Sequence, residues 1–251
     1  MEKLDNGMRI DGRKPDELRK IDWVQSPAPS AASSLTVKVG NTHVICAVSI
    51  QDRVPRWMHV QNIPGGWLTA EYRMLPYANP SRGMRESSMG KIGGRTHEIQ
   101  RLIGRSLRAV FDLEALGKKT IWIDCDVLQA DGGTRTASIT GAYAALRLAV
   151  DQWLKAGIIE KDPIIEPIAA ISVGMRGDTA LLDLCYEEDS AADVDMNVVM
   201  TASGKFIEVQ GTAEEAPFSR DAMENMLALA EEGVNMLIDE QNRFIATVSA
   251  K

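Results

Sequence analysis

A pair of glycines followed by Thr-Arg is the part of this sequence best suited to chemistry. Gly132 and Gly133 stand where a strand pattern gives way to a helix pattern, so they permit a tight turn. Thr134 or Thr136 can cap the helix, and Arg135 lies in its first turn. Unpaired amides at a helix start, with an arginine beside them, form a ready anion site. The segment therefore predicts a bound phosphate, with a compact strand-to-helix connection as the structural alternative.

A second glycine pair, Gly93-Gly94, also leads into a helix pattern and is followed by Arg95. Two such corners can place two guanidinium groups around one anion, and the planar donors of arginine match phosphate oxygens. The alternative is that Arg95 belongs to a basic surface patch. No G-x-x-x-x-G-K-[ST] run occurs, so the sequence does not support a Walker-type nucleotide hydrolase.

An acidic run, Glu187–Asp195, offers carboxylates at the start of a strand pattern. Mg²⁺ prefers a few oxygen ligands and keeps several waters, so these carboxylates are a candidate metal site. A solvated acidic loop is the alternative, although apolar neighbours indicate partial burial. Arginines on a phosphate and carboxylates on a metal are the two parts of a phosphoryl-transfer site. Because no Ser/His/Asp or Cys/His arrangement is evident, the nucleophile would be water or phosphate.

Composition places the chain among globular enzymes. It has 251 residues, 45% of them apolar, and a net charge of −7. Eight basic and three acidic residues lie between Glu71 and Arg108, whereas fifteen acidic and four basic residues follow from Asp183 to the end. This asymmetry favours a polyanionic partner on one face, or else a solvated charged surface. The N-terminus lacks a signal-peptide pattern and no apolar run reaches membrane-spanning length, so we expect a cytoplasmic protein without membrane contacts.

Strand and helix patterns alternate along the chain and must position these residues. Gly40-Asn41 divides a predicted hairpin over Leu35–Ile50. Further strands are predicted at Trp67–Leu75, Ile121–Val127, Ile168–Met175, Thr179–Tyr186, Val194–Thr201 and Phe206–Gly211. Helices are predicted at about Arg95–Leu116 with Gly117 at C′, about Thr136–Ala156, and about Arg220–Ile245. Strands with helices in both halves predict an α+β (mixed α/β) fold.

Several longer motifs resemble the ribonuclease PH family, phosphate-dependent exoribonucleases that trim the 3′ ends of tRNA precursors. The matching segments are 9–13 (RIDGR), 15–19 (PDELR), 69–72 (TAEY), 93–108, 123–141, 188–200 and 208–213 (EVQGTA). The resemblance implies two related β-α halves similar to ribosomal protein S5 domain 2. It also implies a single family domain over 1–251, with halves at about 1–157 and 158–251.

The resemblance assigns roles to individual residues. The phosphate-binding positions of the family match Arg95, Gly133, Thr134 and Arg135. Its catalytic and metal-binding aspartates match Asp189 and Asp195, which implies Mg²⁺ or Mn²⁺ as cofactor and inorganic phosphate as co-substrate. The reaction would release nucleoside diphosphates and run in reverse as a nucleotidyltransferase.

The resemblance also implies how RNA and other subunits are bound. Arginines of the family's RNA-binding loop match Arg82 and Arg85, whereas a position that is commonly arginine there is Tyr77, which would stack on a base. The expected partners are tRNA precursors, other RNA 3′ ends, and further copies of the chain in a hexamer, a trimer of dimers. Two alternatives stay open: a non-catalytic RNA-binding ring subunit of an exosome-like complex, and a hydrolytic metal nuclease.

Overall fold

The computed structural model describes residues 9–25, 27–214 and 216–250, and of Met89 the backbone only. The first eight residues, part of the segment without a signal-peptide pattern, lie outside the described residues. The strands are β1 (Ile21–Gln25), β2 (Ser33–Val39), β3 (Thr42–Gln51), β4 (Trp67–Met74), β5 (Thr120–Gln129), β6 (Ile168–Arg176), β7 (Thr179–Leu182), β8 (Val194–Thr201) and β9 (Phe206–Ala213). The helices are α1 (Arg56–Val60), α2 (Gly94–Arg108), α3 (Thr134–Lys155), α4 (Tyr186–Asp189) and α5 (Arg220–Ser249), with a short 3₁₀ turn at Glu86–Met89.

Each half of the chain builds one sheet. The first sheet has the order β1-β2-β3-β5-β4, antiparallel except for the parallel pair β4 and β5. The second has the order β7-β6-β8-β9 and is antiparallel throughout. The predicted α+β class, with strands and helices in both halves, is confirmed. The boundary at about residue 157 stays a prediction.

Helix α3 lies between the two sheets and joins their cores. It is apolar on nearly every side, and Ile139, Ala142 and Val150 are fully buried. At Gly141 a Cβ would stand 2.7 Å from the Val37 side chain, so only glycine allows α3 to approach β2 this closely. Helix α5 covers the other face of the second sheet. Within the described residues, no helix combines the length and the apolar character needed to span a membrane.

Two predicted elements end earlier than their sequence patterns indicate. Helix α2 stops at Arg108 rather than Leu116, because the backbone beyond it pairs with a distant segment: the Asp112 amide donates to the Pro163 carbonyl at 2.7 Å. The chain then bridges to Ile164, so Gly117 occupies a separate turn and not the C′ position of the helix.

Strand β7 stops at Leu182 rather than Tyr186. Asp183 has a φ of 54°, which turns the chain out of the sheet and toward α4. Part of the acidic run is therefore helical, and Asp189 is the last residue of α4. This short helix brings the carboxylate to the start of α3.

Candidate active site

The start of α3 forms the first corner of the site. Gly132 and Gly133 have φ values of 73° and 64°, in the left-handed region that glycine adopts readily. The prediction of a threonine cap is wrong, because Gly133 is the N-cap residue and no side chain caps it. The Thr136 hydroxyl donates to the Gly133 carbonyl at 2.9 Å, and the Thr134 hydroxyl bonds with Tyr72 at 2.9 Å. The first-turn amides are thus left without a capping side chain.

Gly132 also brings this corner against the backbone that leads into α4. A Cβ at Gly132 would stand 2.6 Å from the Leu184 carbonyl oxygen and 2.8 Å from the Tyr186 amide nitrogen. Both distances are shorter than real Cβ contacts, so no side chain fits here. The glycine is therefore needed for its conformation and also for the contact between α3 and α4.

We expect Gly132→Ala to lower the free energy of unfolding more than Gly177→Ala does. Gly177 has a similar φ of 58°, but a Cβ there would meet nothing within 4 Å. The control variant therefore reports left-handed strain alone, on the order of 1 kcal/mol. Denaturant unfolding of both variants measures the difference, and equal losses would contradict the close contact.

The start of α2 forms the second corner. Gly93 is its N-cap residue and, as at α3, no side chain caps the first turn. The Glu86 carboxylate accepts from the Gly93 amide at 3.0 Å and from the Thr96 hydroxyl at 2.7 Å. These bonds attach the preceding loop to the helix start. Arg95 is exposed and forms no ion pair within the described part of the chain.

The two corners lie side by side. Arg135 donates to Glu98 of α2 at 3.4 Å and to Gln210 of β9 at 3.0 Å, and Gln210 donates to Glu98 at 3.3 Å. Glu98 lies one turn beyond Arg95. Burial raises the pKa of the Tyr72 hydroxyl, while the nearby charges of both arginines lower it. The two guanidinium groups therefore act on one region of the molecule.

The carboxylates reach the same region from the second sheet. Asp195 lies on β8 opposite Thr212 of β9, on the sheet face that looks toward α3. Asp189 is supplied by α4. An open cleft of about 570 Å³ lies here and is lined by Glu98, Arg135, Asp195, Asn197, Gln210 and Glu214, among others. Arg95 and Asp189 are not among its lining residues, although Asp189 lies near enough to Arg95 and Arg135 for their charges to lower its pKa.

Burial and neighbouring charges raise the pKa of both aspartates. Partial burial raises the pKa of Asp189, the charge of Glu214 raises it further, and the charges of Arg95 and Arg135 oppose the shift. The pKa of Asp195 is raised by burial and then by the charges of Asp189 and Glu214. The Asp189 charge acts on Asp195, so the two carboxylates are close enough to share a cation, which would relieve this repulsion.

Asp189 and Asp195 offer the oxygen ligands that Mg²⁺ prefers, but they do not form a site in which the protein supplies every ligand. Within residues 9–25, 27–214 and 216–250, no group of three or more His, Cys, Asp or Glu residues is arranged to hold a metal. Neither Asp189 nor Asp195 forms an ion pair with a described cationic side chain. Mg²⁺ typically takes one or two carboxylates and completes its shell with water and substrate phosphate. The pair therefore fits that ion, and Mn²⁺ for the same reason.

The residues expected to bind RNA lie outside the cleft lining. Tyr77, Arg82 and Arg85 belong to the surface loop between β4 and the 3₁₀ turn, and Tyr77 is 63% exposed. Arg82 donates only to the neighbouring Gly83 carbonyl, at 3.3 Å, among the described residues. The Glu86 bonds attach this loop to the start of α2, next to Arg95.

Three further residues hold the predicted phosphate-binding side chains in place, and sequence reasoning did not identify them. Tyr72 supports the Thr134 hydroxyl, whereas Glu98 and Gln210 hold the Arg135 guanidinium. All three lie in motifs of the resemblance, at 69–72, 93–108 and 208–213, which was the available signal. Glu98 follows Arg95 by three residues, so helical spacing could have indicated its position.

Comparisons with known proteins show the family of this chain. Models of the 3′ exoribonuclease family match residues 17–150 with domain 1 and residues 166–233 with domain 2. Ribonuclease PH of Bacillus subtilis is 56% identical over 239 residues, covering 95% of this chain and 97% of that protein. Ribonuclease PH of Bacillus velezensis is 55% identical with the same coverage.

Solved structures share the fold at much lower identity. A chain of the Archaeoglobus fulgidus exosome with RNA bound to the active site superposes with a TM-score of 0.78 at 21% identity, covering 94% of this chain and 93% of that chain. A chain of an archaeal exosome core gives a TM-score of 0.72 at 21% identity, covering 94% and 91%. These similarities show the fold alone.

Proposed function

The chain belongs to the 3′ exoribonuclease family of ribonuclease PH, and we propose that it trims RNA 3′ ends by phosphorolysis, with tRNA precursors as substrates. The reaction transfers the terminal nucleotide to inorganic phosphate and releases a nucleoside diphosphate. Because one phosphoester replaces another, the reaction also runs in reverse and adds nucleotides from diphosphates. The enzyme thus needs a site for free phosphate beside the RNA end.

One observation carries this proposal: the two arginine corners lie side by side next to the two aspartates. Arg95 and Arg135 supply charge and paired donors for the phosphate oxygens, and the Gly133 corner supplies backbone amides. When Tyr72 donates to the Thr134 oxygen, the Thr134 proton is free for a phosphate oxygen. These donors would hold phosphate in a fixed orientation before the reaction.

In the forward step, a phosphate oxygen attacks the phosphorus of the last phosphodiester. The bond from that phosphorus to the 3′ oxygen of the preceding nucleotide breaks, and that oxygen takes up a proton. Asp189 is the candidate to assist this proton transfer, because its carboxylate lies near Arg95 and Arg135, where the phosphate would bind. Arg135 stabilises the charge that builds on the transferred phosphoryl group.

Asp189 and Asp195 would also hold Mg²⁺ or Mn²⁺. When bound, the cation neutralises charge on the reacting phosphate oxygens. Asp195 remains a carboxylate ligand in this scheme, and Glu214 adds negative charge nearby. Asp189 either shares the cation with Asp195 or assists the proton transfer, so its loss affects the reaction by either route.

Tyr77, Arg82 and Arg85 would guide the single-stranded 3′ end toward the cleft. Tyr77 offers an exposed ring for stacking on a base, and the two arginines contact phosphates. Assembly as a hexamer, a trimer of dimers, and a cytoplasmic location belong to the same proposal. The presence of both arginine corners and both aspartates favours an enzyme over a non-catalytic ring subunit.

The test is incubation of a 3′-extended tRNA with Mg²⁺, with and without inorganic phosphate, followed by identification of the released nucleotides. We expect nucleoside diphosphates that appear only when phosphate is added. Nucleoside monophosphates released without phosphate would identify a hydrolytic nuclease instead. RNA binding without release of any nucleotide would identify the non-catalytic ring subunit.

We expect Arg82→Ala and Arg85→Ala each to weaken RNA binding and to leave the KM for phosphate unchanged. Each lost contact to a single strand should reduce the slope of log affinity against log salt by about 0.7. Fluorescence anisotropy with labelled RNA at several salt concentrations measures this slope. Arg243→Ala removes an exposed arginine on α5 as the control, and an equal slope change there would contradict a specific role for the loop.

A further inference from the structure

Three arginines near the N-terminus are buried beneath the carboxylate side of the site. Arg9, Arg13 and Arg19 are 3%, 8% and 6% exposed, and they lie in the segments 9–13 and 15–19 for which the proposed reaction has no role. Arg9 forms a two-pronged ion pair with Glu188, which immediately precedes Asp189. Burying a charged arginine and a carboxylate costs desolvation free energy even when the two are paired, so we expect these arginines to have a function.

Arg19 alone among these three bonds both the loop before α3, which leads to the phosphate-binding residues, and the turn before α4, which carries Asp189. Its guanidinium donates to both Asp183 oxygens, at 3.0 Å from Nε and 2.7 Å from Nη2. Its Nη1 donates to the Asp131 carbonyl at 2.5 Å, directly before the Gly132-Gly133 turn. The Arg19 backbone amide also donates to Asp183 at 2.9 Å. One planar group therefore binds the loop before α3 and the turn before α4.

The two elements also meet directly around Arg19. The Asp131 side chain accepts from the Tyr186 amide at 3.2 Å, and the Gly132 backbone packs against Leu184–Tyr186. Asp183 has the left-handed φ of 54° that sends the chain from β7 into α4. A non-glycine residue keeps such a conformation when its surroundings hold it, and here Arg19 binds its carboxylate. A Cβ at Gly133 would stand 3.0 Å from the Arg19 guanidinium.

We propose that Arg19, through Asp183 and the Asp131 carbonyl, is a positioning residue that sets the spacing between the phosphate corner of α3 and the Asp189 carboxylate of α4. The inference rests on the proposed phosphorolytic function. The rigid fork of arginine binds a carboxylate with two parallel bonds while a third donor reaches a carbonyl. Lysine carries the same charge, but its single ammonium cannot reproduce this planar bridge.

The experiment compares wild-type protein, Arg19→Lys, and the double variant Arg19→Gln with Asp183→Asn. The double variant replaces both members of the buried ion pair by neutral residues, so neither charge is left unpaired. Asparagine also tolerates the left-handed φ at position 183. The double variant therefore keeps the proposal testable if Arg19→Lys does not fold. For each protein we would measure kcat, the KM for inorganic phosphate, the Kd for RNA without phosphate, and the thermal midpoint. The control is Arg147→Lys.

Arg147 is a matched control because its guanidinium also donates hydrogen bonds to two partners, here two carboxylates. It donates to Asp162 at 2.7 Å and to Asp151 at 2.6 Å. It lies on the same helix as the phosphate corner, about 20 Å along the axis from Thr134. Its loss should lower stability without changing the site.

We expect Arg19→Lys and the double variant to raise the KM for phosphate about tenfold and to lower kcat, because small misplacements of reacting groups have large effects. The Kd for RNA should stay unchanged, and Arg147→Lys should keep both kinetic constants. Wild-type KM and kcat in the folded Arg19 variants would overturn the proposal. The proposal would also be overturned if the Arg19 variants lost only kcat, with the KM for phosphate unchanged, and Arg147→Lys lost kcat equally. Wild-type protein that releases nothing with phosphate would instead overturn the proposed function.

Discussion

Arg135→Ala is expected to abolish phosphate-dependent trimming while RNA binding survives. The side chain emerges from the first turn of α3 and already has two partners across the cleft, Glu98 and Gln210, which hold its guanidinium in place. Its remaining donors would contact the phosphate and the transferred phosphoryl group. Loss of one such preorganised donor typically lowers kcat by about a hundredfold to a thousandfold.

The measurement for Arg135→Ala is release of nucleoside diphosphate over a range of phosphate concentrations, with RNA affinity measured separately. Arg105→Ala serves as the control, because it removes the ion pair between α2 and Glu208 on β9 without touching the α3 corner. We expect the control to keep the wild-type KM for phosphate. Equal loss of RNA binding and trimming in Arg135→Ala would contradict its assignment to phosphate.

Local patterns were sufficient for most of the fold. The hairpin around Gly40-Asn41 and the helix α3 follow from alternation, turn residues and apolar spacing that lie within a few residues of each other. The α+β class follows from the same patterns, because each half contains both strands and a helix. These features depend on interactions that the sequence encodes locally.

Element ends were less predictable because distant residues decide them. The apolar spacing of α2 continues past Arg108, but the backbone there pairs with the distant segment around Ile164 instead of continuing the helix. Strand β7 ends where Arg19, far away in the sequence, binds Asp183. Nothing local to either segment reveals these contacts.

The site shows the same division between local and tertiary information. Glycine pairs and arginines indicate two anion corners, but only the packing of α2 on α3 shows that the corners adjoin. The threonine caps failed as predictions because Gly133 takes the N-cap position, while Tyr72 of β4 bonds the Thr134 hydroxyl. The Thr134 hydroxyl, which was expected to accept from a backbone amide of the helix, is therefore available to a ligand.

Asp189→Asn is expected to lower kcat by about a hundredfold or more in a folded protein. The variant keeps the size of the side chain but removes its charge and its transferable proton. It should also weaken binding of Mn²⁺ in the presence of phosphate, which electron paramagnetic resonance can follow without turnover. Asp195→Asn should weaken Mn²⁺ binding as well, because it removes the second carboxylate, which lies near the Asp189 charge.

Glu187→Gln is the matched control for Asp189→Asn, because it removes one exposed negative charge from the same short helix. If the net charge of α4 were all that mattered, the two variants would lose activity equally. If the Asp189 carboxylate acts on the reacting groups, only Asp189→Asn loses kcat, and thermal unfolding of both variants stays close to wild type. Near-normal turnover by Asp189→Asn would exclude this carboxylate from both proton transfer and the metal site.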